Sequence, residues 1–104
     1  MDYILSMFEI FQTASFARWR AALKDRQAVL RINARIERVA AGNLGDVKPV
    51  RDGVSELRID YGPGYRVYFM RREAILIVLL AGGDKRTQQT DIDRAVALAK
   101  DWKE

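Results

Sequence analysis

The sequence predicts an α+β fold in which a mostly antiparallel sheet carries an N-terminal αα-hairpin and a C-terminal helix, in the order β-α-α-β-β-β-β-α. Two observations predict this fold. Apolar residues recur at helical spacing over residues 16–39 and 92–102, whereas residues 54–71 alternate with the period of a strand. The 104 residues fit a single domain, 1–104, and 49% of them are hydrophobic, which is enough apolar material for a compact core.

The first strand is predicted over residues 3–11, which are rich in apolar side chains, with Met7 as an alternative first residue of the protein. Thr13 or Ser15 can cap the helix that follows, because a hydroxyl oxygen accepts a hydrogen bond from the free N–H groups of a first helical turn. The apolar residues of this helix lie at i, i+3 and i+7: Phe16, Trp19 and Leu23.

A second helix follows a break at Lys24 and Asp25, and the two helices form an αα-hairpin. Its apolar stripe consists of Val29, Ile32, Ile36 and Val39. Gly42 is expected to end this helix, because glycine readily adopts the left-handed conformation that closes a helix. Another face of the helix carries three arginines that we expect to be solvated: Arg31, Arg35 and Arg38.

Four strands are predicted next. Residues 47–50 contain Pro49, which cannot donate a backbone hydrogen bond, so this strand is expected at a sheet edge. The turn sequences Asp52-Gly53 and Gly62-Pro63-Gly64 precede two alternating strands, residues 54–61 and 65–71. Residues 75–80 are apolar on both faces, which predicts a central strand that is covered on both sides.

The segment Gly82-Gly83-Asp84-Lys85 is predicted to be a loop, because it lacks the spacing of a phosphate-binding P-loop. The last helix is predicted over residues 87–102. Its apolar stripe consists of Ile92, Ala95, Val96, Ala99 and Trp102.

Composition excludes several kinds of site. Cysteine and histidine are absent, which excludes disulfides, thiolate metal sites and a histidine general base, and we expect neither a metal nor a cofactor. The N-terminal segment lacks the basic region of a signal peptide, and the longest apolar run is far shorter than the roughly 20 residues of a membrane span. We therefore expect a cytoplasmic protein with no membrane contact. The net charge of +4 favours a polyanionic or acidic partner.

The alternation of the third and fourth strands places four polar side chains on the face opposite the predicted core: Glu56, Arg58, Arg66 and Tyr68. We expect this face to be open. Basic side chains from neighbouring segments are expected beside it: Lys48, Arg51, Lys85 and Arg86. Exposed Glu–Arg pairs on an ordinary solvated sheet would explain the same pattern, because such pairs are common and stabilise little.

This set of side chains suits metal-independent RNA cleavage, in which the 2′-hydroxyl attacks the neighbouring phosphate. Arginine holds phosphate through a bidentate fork, and fixed cations stabilise the charge that develops on it. A carboxylate or a lysine can exchange the protons. The candidate catalytic residues are Arg66, Arg58, Lys85 and Glu56. The candidate RNA-binding residues are Lys48, Arg51, Tyr68 and Arg86.

The run GNLGDVKPVRDGVSELRIDYGPGYRVYF, followed by IVLLAGGDKRTQQTDI, resembles the addiction module killer protein branch of the RelE/ParE toxin superfamily, close to HigB-type toxins. The resemblance extends from Phe8 to the C-terminus and includes TASFARW in the first helix. It implies a RelE-like, microbial-RNase-like fold and a toxin of a type II toxin–antitoxin (plasmid stabilization) module. It also implies a cognate antitoxin, usually a helix-turn-helix protein encoded by the adjacent gene.

The resemblance further implies a function. RelE-like members cleave mRNA on the ribosome with basic residues of the sheet, and Arg66 matches the strand arginine of the family, while Lys48, Arg58 and Lys85 match other basic positions. Many members carry a Tyr or His near the C-terminus, and residues 86–91 contain neither. We therefore expect a ribosome-dependent mRNA endonuclease, an mRNA interferase. Two alternatives stay open: a ParE-like inhibitor of DNA gyrase, and a cleavage-dead homologue that only binds its antitoxin.

Overall fold

The computed structural model describes residues 7–103, which form one five-stranded sheet in the order β1-β5-β4-β3-β2 and three helices. The elements are β1 (Glu9–Gln12), α1 (Ala14–Ala22), α2 (Arg26–Ala40), β2 (Val47–Arg51), β3 (Val54–Ile59), β4 (Tyr65–Arg72), β5 (Leu76–Asp84), a 3₁₀ turn (Lys85–Thr87) and α3 (Gln88–Asp101). Only the β1–β5 pair is parallel, so the predicted α+β fold with a mostly antiparallel sheet is confirmed. Residues 3–6 of the predicted first strand lie outside the described residues.

The helical hairpin is held by side-chain caps. Thr13 caps α1: its hydroxyl accepts a hydrogen bond from the Phe16 N–H at 3.0 Å and donates one to the Leu80 carbonyl at 2.6 Å. Asp25, which the sequence marks as a break, caps α2 by accepting from the backbone N–H groups of its first turn. Gly42 follows α2 with a φ of +96°, as the sequence predicts. The cap at Thr13 also ties the hairpin to β5.

One face of the sheet packs against the hairpin. The buried core on this side consists of Phe16, Ile32, Ile36, Val39, Leu57, Ile59, Val67, Phe69, Ile77 and Leu79. Trp19 packs against this core, whereas Val29 is only partly buried and Ala28 is buried instead. The apolar stripes predicted for the two helices therefore face the sheet, apart from Val29, which is only partly buried.

The other face of the sheet is covered by α3, so the expectation that this face is open is wrong. The apolar stripe of α3 meets the strand residues that point away from the hairpin. The buried core on this side consists of Val54, Tyr68, Met70, Leu76, Val78, Leu80, Ala81, Ile92, Ala95 and Val96. Because each face of β5 contributes to a different core, β5 is the doubly covered strand that its composition predicts.

The glycine pair 82–83 belongs to β5 and not to a loop, which corrects the sequence prediction. Gly82 and Gly83 pair with Val67 and Arg66 of β4. A Cβ atom on Gly82 would lie 2.2 Å from the Trp19 ring, and one on Gly83 would lie 1.7 Å from the Asp91 carboxylate. Glycine is needed here because the strand is packed closely on both faces, a requirement that turn statistics do not reveal.

The edge strand and the tight turn of the sheet agree with the predictions from the sequence, whereas the end of β3 differs. β2 is an edge strand and contains Pro49, as predicted. Asp52 and Gly53 both have positive φ angles, +52° and +80°, which identifies a tight hairpin turn. β3 ends at Ile59, two residues earlier than predicted. Within residues 7–103, no helix is long and apolar enough to cross a bilayer.

Candidate functional site

The polar side chains of β3 and β4 meet at the end of the sheet beside the start of α3. Glu56 pairs with Tyr68, and Arg58 pairs with Arg66, in the antiparallel register of the two strands. Because side chains directly opposite each other on one face of a sheet are neighbours, the four form one group. The structure thus brings together the four polar residues that the alternation of the sequence places on one face.

Glu56 is the centre of this group and is completely buried. Its Oε1 accepts a hydrogen bond from Arg58 Nε at 3.0 Å and lies 3.6 Å from Arg66 Nε. Its Oε2 accepts from Gln88 Nε2 at 2.7 Å and from the Tyr68 hydroxyl at 3.3 Å. A buried carboxylate is costly unless it is paired and hydrogen-bonded, and this one is both.

The surroundings of Glu56 favour its charged form. Burial alone would raise the pKa of its carboxyl group. Hydrogen bonds from Arg58 and Gln88, together with the charge of Arg66, outweigh burial and leave the pKa of Glu56 below its usual value. At neutral pH Glu56 is therefore an anion with both oxygens occupied, which suits it to hold the two arginines in place rather than to accept a proton.

Tyr68 lies beneath α3, and its side chain is fully buried. Burial and the charge of Glu56 raise the pKa of Tyr68, so the phenol stays neutral and donates its proton to a hydrogen bond with Glu56. The sequence places Tyr68 among the candidate RNA-contacting residues of an open face. The structure contradicts that exposure, because α3 separates the ring from solvent.

Arg66 is the most enclosed cation of the group, with 10% of its side chain exposed. Its Nη1 donates to the Gly64 carbonyl at 3.0 Å and to the Tyr65 carbonyl at 3.2 Å. Its buried Nε has no hydrogen-bond partner within the described residues, although Glu56 lies nearby. The guanidinium is thus fixed by backbone carbonyls and by a carboxylate at the end of β4.

Lys85 joins the group across the turn before β4. Gly64 has a φ of +80°, and a Cβ atom there would lie 3.4 Å from both Arg66 Nη1 and Lys85 Cδ. The bare glycine backbone therefore lets both cations approach the same point. The result is an open cleft of about 240 Å³ whose lining includes Arg58, Arg66 and Lys85. We call it the three-cation cleft. Two acids, Asp46 and Asp60, line it as well.

The remaining predicted residues lie outside the three-cation cleft. Lys48 pairs with Glu56 in the β2–β3 register, is exposed, and lines a separate groove of about 290 Å³ together with Arg51. Arg51 forms an ion pair with Asp93 at 2.7 Å. Arg86 is also exposed, and its guanidinium pairs with the carboxylate of Asp84 at 2.9 Å. The arginines of these two pairs are thus already engaged with acids.

Sequence patterns missed two polar residues of α3. Gln88 reaches back to Glu56, and Asp91 is buried at the start of the helix, where it binds the Thr87 hydroxyl and pairs with Arg94. The glycine pair is a signal for Asp91 that the pattern of the strands does not use, since Gly83 provides the space that its carboxylate occupies. No periodic pattern marks Gln88. Within residues 7–103, no group of acidic side chains is arranged to hold a metal ion.

Comparison with known proteins identifies the family. The model of the phage-derived Gp49-like family (DUF891) matches residues 19–103. A Haemophilus influenzae protein, described only as an uncharacterized protein, is 50% identical over 93 residues, which cover 89% of this chain and 94% of the relative. The matched region includes β3, β4 and the whole three-cation cleft. The chain belongs to the Gp49-like family, a RelE-like toxin family.

Proposed function

We propose that this protein is the toxin of a type II toxin–antitoxin module of the HigB-like, addiction module killer type, and that it cleaves mRNA on the ribosome. The observation that carries the proposal is the three-cation cleft, in which Arg58, Arg66 and Lys85 surround a space open to solvent. Convergent cations that are fixed before the substrate arrives are the main requirement for stabilising a phosphorane. Membership in a RelE-like toxin family supports the same conclusion.

In the proposed reaction, the 2′-oxygen of the RNA attacks the adjacent phosphorus and the bond from phosphorus to the 5′-oxygen breaks. The products are a 2′,3′-cyclic phosphate and a 5′-hydroxyl. Arg66 and Arg58 bind the non-bridging oxygens, whose charge grows in the transition state. Lys85, exposed at the mouth of the cleft, gives a proton to the departing 5′-oxygen, and water takes the proton of the 2′-hydroxyl.

Glu56 supports this reaction as a positioning residue. It lies behind the two arginines, and both of its oxygens already accept hydrogen bonds. Its negative charge offsets the repulsion between Arg58 and Arg66, which would otherwise drive two neighbouring guanidinium groups apart. The arginines therefore stay directed at the cleft before RNA binds.

The proposed partner is a cognate antitoxin from the adjacent gene, expected to be a helix-turn-helix protein. The net charge of +4 favours a partner that presents acidic surface to the toxin, because opposite charge accelerates association. Co-expression of the neighbouring small gene should restore growth and yield a complex on purification. Failure of the two purified proteins to bind would contradict this partner.

The proposal is tested by brief induction of the protein in a bacterial host, followed by primer extension on cellular mRNA. New 5′ ends within translated messages are the expected result. A supercoiling assay with purified DNA gyrase is run on the same protein preparation. Intact mRNA together with blocked supercoiling would replace the proposed function with a ParE-like one, and intact mRNA with active gyrase would leave only antitoxin binding.

A further inference from the structure

A second basic groove adjoins the three-cation cleft. It has a volume of about 340 Å³ and lies between α2 and the segment that leads into β2. The side chains of α2 that line it include Arg31, Arg35 and Arg38. Asp46, Arg58, Ile59 and Asp60 line this groove and the three-cation cleft alike. We call it the α2 groove.

Arg35 is a fixed charge in the wall of the α2 groove. Its guanidinium donates to three backbone carbonyls, those of Leu44 at 3.1 Å, Asp46 at 3.3 Å and Arg58 at 3.4 Å. Gly45, with a φ of +67°, makes room for it, since a Cβ atom there would lie 2.6 Å from Arg35 Nη1. Carbonyl groups satisfy the donors of Arg35 without neutralising its charge, so the positive potential of the groove persists.

Arg31 and Arg38 are the exposed cations of the α2 groove. The guanidinium of Arg31 lies over the Tyr61 ring, 4.7 Å from its centroid. Burial, and after it the charge of Arg38, lower the pKa of Arg35, while the charge of Asp46 acts in the opposite direction. Within residues 7–103, neither Arg31 nor Arg38 forms an ion pair.

The charge of the α2 groove is therefore unbalanced. Four arginines line it, counting Arg58, against two aspartates. Apart from Gly45, the uncharged residues that line it are Ala34 and Ile59. A chain with regularly spaced negative charges fits this excess of arginine, because each arginine can form a bidentate contact with one phosphate.

We propose that the α2 groove binds a backbone phosphate of the same RNA strand whose scissile phosphate occupies the three-cation cleft. The inference rests on the proposed function and extends it to the path of the substrate. A strand that leaves the cleft over the shared wall enters the α2 groove directly, with Arg58 between the two phosphates and Arg38 as the main ligand of the second. The sequence alone predicts that the arginines of α2 are solvated, whereas this proposal gives them a phosphate as ligand.

The test measures binding of non-cleavable RNA by fluorescence anisotropy over a series of salt concentrations. The probes are a 2′-O-methyl dinucleotide with one phosphate and a 2′-O-methyl hexanucleotide, and the protein is the full chain. Arg38→Ala is compared with Arg18→Ala, which removes an exposed arginine of α1 that lines neither groove.

For the hexanucleotide, Arg38→Ala should reduce the slope of log affinity against log salt by about 0.7, the loss of one phosphate contact. Dinucleotide binding should be unchanged by Arg38→Ala.

Several results would overturn the inference: equal behaviour of Arg38→Ala and Arg18→Ala on the hexanucleotide, equal weakening of both probes by Arg38→Ala, or no hexanucleotide binding by the wild type. Weaker antitoxin binding with unchanged RNA binding would also overturn it, and would assign the groove to a protein. Failure of the proposed function looks different. If only the proposed function is wrong, the wild type leaves mRNA intact. Arg38→Ala still reduces the slope of log affinity against log salt for the hexanucleotide, and the groove remains an RNA-binding surface.

Discussion

The two faces of β3 and β4 differ in chemistry although the same two strands form both. Toward the helical hairpin they present Leu57, Val67 and Phe69, all buried in an apolar core. Toward α3 they present a buried carboxylate, Glu56, and the enclosed cation Arg66. Successive side chains of a strand point to opposite faces of the sheet, so one residue can lie in the apolar core while its neighbour in sequence joins the polar group. The hairpin face is apolar, whereas the α3 face combines a second apolar core with charges that are held in a fixed arrangement at its end.

The hairpin face should give the largest loss of stability. Phe69→Ala removes a ring that is 4% exposed and leaves a cavity, so it should cost about 3–5 kcal/mol, a large part of the stability of a small domain. Phe11→Ala is the matched control, because this ring is 48% exposed on β1. Denaturant unfolding of both variants checks the difference. Similar losses for the two would contradict the assignment of the core.

The α3 face should show its dependence on charge at acidic pH. Because the pKa of Glu56 is lowered on folding, its carboxylate contributes stability that is fully present above pH 4.5, the ordinary value of the group, and is lost as pH falls through the folded pKa. Glu56→Gln keeps the shape but removes the charge, and should cost roughly 1.5–3 kcal/mol at neutral pH through weakened hydrogen bonds to Arg58.

Unfolding measured between pH 7 and pH 3 provides the test of that prediction. The stability of the wild type should fall more steeply below pH 4.5 than that of Glu56→Gln, so that the two curves converge in acid. Parallel curves over this range would show that Glu56 is not a stabilising anion. Phe69→Ala, which alters the apolar face alone, should run parallel to the wild type.

The smallest effect is expected at the exposed end of β2. Arg51 pairs with Asp93 at 2.7 Å, but both side chains are largely exposed, so Arg51→Ala should change stability by less than about 1 kcal/mol. The small difference from the wild type should shrink further as salt is added. A loss comparable to that of Glu56→Gln would mean that the polar network extends from the α3 face to this edge.

The same comparison shows what could be predicted from the sequence. Alternation identified the two faces, and helical spacing identified the hairpin, because both patterns follow from local geometry. The sequence does not predict that α3 covers Tyr68, because the alternation of a strand does not reveal which element packs against its polar face. The sequence predicts a loop at Gly82-Gly83, because the reason for glycine there, close contact with Trp19 and Asp91, is visible only in the tertiary structure. Gln88 belongs to no periodic pattern, and only its hydrogen bond to Glu56 in the folded protein makes it part of the polar group.

The most direct test of the functional assignment is Arg66→Ala, assayed for mRNA cleavage and thermal unfolding on one preparation. Loss of one cation that stabilises the transition state should lower cleavage about a hundred- to a thousandfold. The melting temperature should fall far less than for Phe69→Ala, because Glu56 keeps its bonds to Arg58, Gln88 and Tyr68. Arg66→Lys should restore cleavage only in part, since an ammonium lacks the bidentate fork. Cleavage at the wild-type rate by a folded Arg66→Ala protein would contradict the three-cation cleft as the site of reaction.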